Sequence, residues 1–439
     1  MKKAKNLLLI SVGVIILGMS ILYSCKNYTG PSNGQGLFAD KEKANNVDSG
    51  EDSAGTQMLT PDSQRVVVWN DTQSCIIPAL TVMKDNILIA AVGSKTKGKL
   101  LIKESKDNGK NWTEVNAPSI GTDLNDSYVH PFFINCHNGD ILLGVSTTNA
   151  SQNSLYLYRS VDGKNWTSEF TNITMNSMTN TNVVVTNKNK IVTTNNVKTE
   201  TGSLELNHTF VTYGNGITLR HKNNAGKNKL LFPYYYKTPI KDNTLHQGSI
   251  ATMISTDDGK NWKRLGYDQG PYVSYGAKFI ELNDGNILYF MNDAAKRVAW
   301  FESTNCGETS KCITVFTKGA HNEDRIQYAD FARYEFGWNG RDIKGAEYAL
   351  MVFSTDKTSY SVKMTTDDFN KGKDNKSGAY LGGGSKVIAA NLTKPSAIYP
   401  TITVLKDGTI ATLAAEDDGM VFRRFELNWF LEDELWMEQ

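Results

Sequence analysis

The chain has 439 residues, with 47 Lys and Arg set against 46 Asp and Glu for a formal net charge of +1. So even a balance offers no field to draw in nucleic acid or an anionic membrane surface. Its five cysteines and six histidines fall without zinc-ligand spacing, so neither a metal nor a cofactor is expected.

The N-terminus sets the expected compartment. Met1-Lys2-Lys3-Ala4-Lys5 is a short basic stretch, and Leu7 to Leu22 is an almost unbroken apolar run. That is the layout of a secretory signal, too short and wrongly flanked for a comfortable membrane span. It ends at Leu22-Tyr23-Ser24-Cys25, which resembles a bacterial lipobox, although Tyr23 is bulkier than the usual occupant. The expectation is a signal peptide over 1–24, a lipid on Cys25, and a place at the bacterial cell envelope or surface, held to the membrane by that lipid alone. A plain signal peptide with an incidental cysteine, or an uncleaved anchor, stays open. Residues 25–60 read as the lipidated cysteine and a flexible tether, because their Asn, Gly, Ser, Asp and Lys cannot bury a core. Residues 61–439 form the body, large for one core but ordinary for a set of repeated small sheets.

Six segments of the body share one pattern: a β-rich strand, a polar turn usually carrying Asp-Gly or Asn-Gly, and a second apolar strand. In chain order they are CIIPALTVMKDNILIAAV from Cys75, VHPFFINCHNGDILLGV from Val129 and GITLRHKNNAGKNKLLFPYYY from Gly216. GAKFIELNDGNILYFMN from Gly276, ADFARYEFGWNGRDIKGAEYALMVFS from Ala329 and AIYPTITVLKDGTIATLAAE from Ala397 follow. Such turns between β-branched and aromatic runs are strong hairpin signals, and helical periodicity is nearly absent.

Behind several hairpins stands Ser-x-Asp-x-Gly-x-x-Trp, an Asp box. It is intact over Ser105–Trp112 and Ser255–Trp262, one residue shorter over Ser160–Trp166, and worn at Ser303–Gly307 and Thr365–Phe369. The Asp should accept backbone N–H bonds across a tight turn, the Gly should supply positive φ, and the Trp should be buried between neighbouring sheets. The chain is therefore predicted to be all-β, a six-bladed β-propeller. Its last blade, lacking a box, should close by pairing Arg65–Trp69 with the strand from Met420 to Phe430. The stretch from about Asn172 to Thr212 exceeds blade spacing and predicts an inserted hairpin.

The order of these pieces, from Arg65 to Phe430, resembles the sialidase (neuraminidase) superfamily. That resemblance implies three arginines gripping a sugar carboxylate, a nucleophilic Tyr activated by a Glu, an acid/base Asp, and a second Glu orienting the first arginine. Carried onto this chain, Tyr399 stands at the nucleophile position and Glu416 at that of the orienting carboxylate. The first arginine position is Ile76, the second falls near Asn292 and the third near Thr358, with Lys357 and Lys363 the nearest cations. The loop from Gly93 to Lys99 has no acid/base carboxylate, and the activating Glu falls at or near Gly276. Arg297 or Arg325 are the arginines that could be recruited from outside the motifs.

Two functions stay open. One is an exo-α-sialidase-like glycoside hydrolase with a largely degenerate catalytic set, acting on sialylated or other acidic glycans. The other is a non-catalytic propeller that holds a glycan or a host surface molecule. Tyr234-Tyr235-Tyr236 suits either sugar stacking or core packing, and Lys95, Lys97 and Lys99 either an anion or solvent. A Cys306–Cys312 loop disulfide is open, as is pairing of Cys75 with Cys136.

Overall fold

The computed structural model describes residues 58–70, 75–94, 99–118, 128–148, 154–167, 171–174, 183–186, 190–193, 210–211, 214–220, 229–238, 247–265, 277–282, 284–292, 298–307, 311–315, 326–334, 348–365, 385–395 and 397–431. The expected signal, Cys25 and most of the tether lie outside them. Within the compact unit Gln57–Gln439, six small sheets stand in a ring and form a six-bladed β-propeller. The first strand of each blade is innermost, and those of blades one and two, four and five, five and six, and six and one touch.

Blade one comprises Cys75–Val82, Leu88–Ser94, Lys99–Ser105 and Thr113–Val115. Blade two comprises Tyr128–Asn135, Ile141–Thr148, Ser154–Ser160 and Thr171–Thr174. Blade three is built on Ile217–Thr218, Leu230–Thr238, Gln247–Ser255 and Trp262–Leu265. Blade four has Lys278–Glu281, Ile287–Asn292, Val298–Ser303 and Lys311–Val315. Tyr328–Tyr334, Tyr348–Ser354, Tyr360–Thr365 and Ser385–Ala389 make blade five. Blade six takes Thr401–Val404, Ile410–Glu416 and Gly419–Phe425 from the C-terminal end, and Arg65–Trp69 as its outermost strand. Arg65 lies opposite Arg423 and Val67 opposite Val421. The ring closes as the sequence predicts.

The inserted hairpin is Val183–Thr186 with Lys190–Thr193, and it widens blade three by pairing with its outer strand, Val185 opposite Trp262. Side chains of period two fill the gaps between blades. Ala79, Ile89 and Ala91 of blade one meet Phe133, Leu143 and Val145 of blade two, and Ala411, Leu413 and Phe422 of blade six meet Leu80, Leu88 and Val92 of blade one.

The Asp boxes of blades one to four sit between third and fourth strands and wedge each of those blades against the one before it, while the worn copy at Thr365–Phe369 lies almost wholly outside the described residues. Asp107 accepts from Asn111 N at 2.9 Å, Gly109 N donates to Ser105 Oγ at 2.8 Å, and the second full box repeats both bonds through Asp257, Asn261, Gly259 and Ser255. A Cβ on Gly109 would stand 2.0 Å from the Phe422 ring of blade six, and one on Gly259 2.4 Å from Leu142 of blade two. In the full-length boxes two consecutive residues have positive φ: Asn108 and Gly109, Asp258 and Gly259, Cys306 and Gly307. The short box has Gly163 alone.

Burial of the box tryptophans is unequal, against the expectation that all three are buried alike. Trp262 is 1% exposed, whereas Trp112 and Trp166 are half-buried. The difference lies in the inserted hairpin, which covers the outer strand of blade three. The indole N–H groups of Trp112 and Trp262 donate to the carbonyls of Gly109 and Gly259 at 3.0 and 3.1 Å. Trp166 Nε1 is buried with no partner among the described residues, although Gly163 stands three residues before it, as Gly109 and Gly259 stand before Trp112 and Trp262. Of the disulfides left open by the sequence, neither Cys306–Cys312 nor Cys75–Cys136 forms: Cys306 and Cys136 are buried and stand outside any disulfide. Cys306 takes the first positive-φ position of its turn and packs among Leu219, Leu231 and Phe279.

Candidate functional site

The first strands share a register fixed by their turns. In blades one, two, four and six the N–H of Met83, Cys136, Leu282 and Leu405 donates to the carbonyl of Ile87, Asp140, Asn286 and Thr409, each at 2.8 Å. Counting back from those residues puts Ala79, Phe132, Lys278 and Thr401 at one depth. Asp330 joins them, because Ala329-Asp330-Phe331 repeats Ala277-Lys278-Phe279.

This deeper layer is a closed polar cluster on the axis. Lys278 and Asp330 are each 1% exposed, and Lys278 Nζ lies 3.0 Å from Asp330 Oδ1. Thr401 Oγ1 donates to Asp330 Oδ2 at 2.6 Å. Burial lowers the Lys278 pKa, and the charge of Asp330 opposes that shift. Gly214–Asn215 enters the same space, pairing in parallel with Phe132 and Phe133 of blade two. The Asn215 amide donates to Leu80 O at 2.9 Å and Lys278 Nζ to Asn215 O at 3.3 Å. Gly214 has φ +86°, and a Cβ there would fall 2.4 Å from Lys278 Nζ. Only glycine lets the backbone pass so close to the ion pair. The ring is plugged at this depth.

Two residues earlier along each strand lies the mouth, the end at which the first strands begin. Its layer holds Ile77, His130, Tyr328 and Tyr399, with Gly276 in blade four outside the described residues. Ile77 is buried, and burial lowers the His130 pKa to about 4, so its imidazole is neutral at pH 7. Tyr399 and Tyr328 stand on adjacent blades with ring centroids 4.0 Å apart. The Tyr399 hydroxyl donates to the Tyr328 hydroxyl at 3.2 Å. Pro78, Pro131 and Pro400 follow three of these residues, which an inner edge strand tolerates because no neighbour needs their missing N–H.

Glu416 ends the second strand of blade six, at the same end of the ring, but on the face toward blade five. Along that strand Ala411, Leu413 and Ala415 pack with blade one, while Ile410 and Ala414 pack with blade five. Period two puts Glu416 with the latter. Its carboxylate is 1% exposed and accepts Arg423 Nε at 2.7 Å and Arg423 Nη2 at 2.8 Å, a bidentate pair. It also accepts the Tyr360 hydroxyl at 2.8 Å and lies 3.1 Å from Arg65 Nη2. Arg65 reaches on to Asp418 and Arg423 to Asp62. Burial opposes the Arg423 charge, yet its bonds to Glu416 hold the guanidinium pKa above the usual range. Burial, then the Glu416 charge, raise the Tyr360 pKa, so that hydroxyl stays protonated.

Neither a protein-family model nor any curated protein matches the sequence. Solved structures do match the propeller. A Hadza microbial sialidase superposes with a TM-score of 0.57 at 17% identity, over 81% of this chain and 66% of its own. The fold is that of the sialidases. A leech intramolecular trans-sialidase gives 0.55 at 14% identity, over 87% of this chain and 72% of its own. Trypanosoma rangeli sialidase gives 0.54 at 14%, over 87% and 62%. The chain thus spans about two thirds of the length of these sialidases. At such identity the likeness carries the sialidase fold and no residue role.

Within this sialidase fold, the remaining family positions are placed as follows. Thr358 is exposed in the turn after the second strand of blade five, where its N and Oγ1 both donate to Asp356 at 2.7 Å. Lys357 is exposed beside it, and Lys363 is buried on the third strand. Lys99 is exposed, while Lys95, Lys97, Arg297 and Arg325 lie outside the described residues. Of Ile76, Asn292 and Tyr234 to Tyr236 the backbone alone is described, in first or second strands. Sequence reasoning missed Tyr328, Lys278, Asp330, Arg65, Arg423 and Tyr360. A signal existed for two of these, since opposite charges at the same place in consecutive repeats predict a buried pair.

Proposed function

We infer that this protein is a glycan-recognising propeller of the sialidase fold, without retaining sialoside hydrolysis. The observation that carries the reading is the commitment of Glu416, the carboxylate expected to orient a sugar-binding arginine: both its oxygens are bonded to Arg423 between blades, with Arg65 and Tyr360 completing its shell. A tyrosine is a weak nucleophile until a neighbouring base takes its proton. Tyr399 has another phenol against its hydroxyl, and the place in sequence where that base belongs falls at or near Gly276. Binding survives such losses more readily than turnover does, because stacking and hydrogen bonding need no activated group.

Covalent trapping tests the reading. The 2,3-difluorosialic acid that stands as a covalent intermediate in Trypanosoma rangeli sialidase should leave the intact mass of the full chain unchanged after prolonged incubation. An adduct that maps to Tyr399 would restore the hydrolase in its place.

A further inference from the structure

The mouth differs in character from the layer beneath it. Below, Lys278 and Asp330 neutralise each other and the channel is plugged by Gly214–Asn215. At the mouth, Ile77 is apolar, His130 is neutral at pH 7, and Tyr328 and Tyr399 lie ring to ring while both stay partly exposed. The nearby charge of Glu416 is matched by Arg423 on the blade-five face, and the N–H and hydroxyl of Thr358 are taken by Asp356. We propose that the Tyr328–Tyr399 pair is a stacking platform for an uncharged pyranose of a glycan, a neutral hexose or an N-acetylhexosamine. This rests on the glycan-binding reading above and names its ligand.

The chemistry favours an uncharged ring on two grounds. One face of a pyranose is a patch of weakly positive C–H bonds, which complements the negative face of an aromatic ring. Its hydroxyls lie at the rim, where they can donate to the phenol oxygens. A carboxylate-bearing sugar asks for a guanidinium at the same depth. The first-strand residues Ile77, His130, Tyr328 and Tyr399 supply none, and desolvating an unpaired carboxylate there is costly.

The test is equilibrium binding of the full chain to N-acetyllactosamine and to the same disaccharide capped with a terminal sialic acid. The uncapped form should bind, and the cap should weaken it about tenfold or more. Tyr328→Phe, which keeps the ring, should stay within about threefold of wild type, whereas Tyr328→Ala should lose about tenfold or more. Preference for the sialylated form would overturn the ligand class and leave the glycan reading standing. Retention of neither form would overturn both. Wild-type affinity in Tyr328→Ala would overturn the platform. Should that variant fail to fold, Tyr328→Leu keeps the apolar volume without the π-face, and wild-type affinity in it would overturn the platform equally.

Discussion

Replacing Glu416 by alanine is expected to lower the stability of the propeller by about 3–5 kcal/mol, the cost of leaving a buried charge without its partner. Arg423, whose side chain is 6% exposed, would keep its guanidinium between blades five and six with nothing to accept two of its bonds. The Tyr360 hydroxyl would lose its acceptor in the same place. Arg65 is less affected, since it also reaches Asp418 at the surface, and exposed pairs are worth little. The network ties the N-terminal strand to the last blade, so the loss should weaken ring closure. Urea unfolding checks this: the midpoint should fall while the slope holds, as for a change in stability alone. A midpoint within error of wild type would mean that Glu416 is not a structural hub. A loss of glycan binding at unchanged stability would return it to the site.

Asp330→Ala should cost a similar amount, about 3–5 kcal/mol, by stranding Lys278 in the plugged channel. It also removes the acceptor of the Thr401 hydroxyl. The double variant Asp330→Leu with Lys278→Met should recover most of the loss, because a buried ion pair replaced by apolar side chains of like volume is often neutral. If the double variant is as unstable as the single one, shape or hydrogen bonding to Gly214–Asn215, rather than charge, holds the axis together. Thermal midpoints of the three proteins decide between these.

Much of the architecture is legible in the sequence because its signals are local. Asp-Gly turns and Ser-x-Asp-x-Gly-x-x-Trp boxes make their hydrogen bonds within a few residues, so each declares itself without reference to the rest of the ring. Closure by Arg65–Trp69 is a longer inference, yet it follows from counting: the last hairpin has no box and one β-rich run at the start has no hairpin. The site is harder to read. Glu416 and Ala415 differ by one residue and face opposite blades, and a sequence alignment that slips by one cannot tell them apart. Tyr328 goes unremarked in sequence because it begins a strand with no motif of its own, and only its contact with Tyr399 marks it. Trp166 shows the same dependence on geometry. The missing residue in its box is plain, but it lies before Gly163 and leaves the Gly-x-x-Trp spacing intact, so nothing local in the sequence announces the orphaned indole N–H.

The most direct measurement is turnover itself. The full chain, in molar excess over a fluorogenic sialoside at neutral pH, should release fluorophore no faster than buffer does, and Tyr399→Phe should change nothing. Release that rises with protein concentration and disappears in Tyr399→Phe would contradict the account, since Tyr399 would then be acting as a nucleophile with Tyr328 against its hydroxyl and Gly276 at or near the position of its activating base.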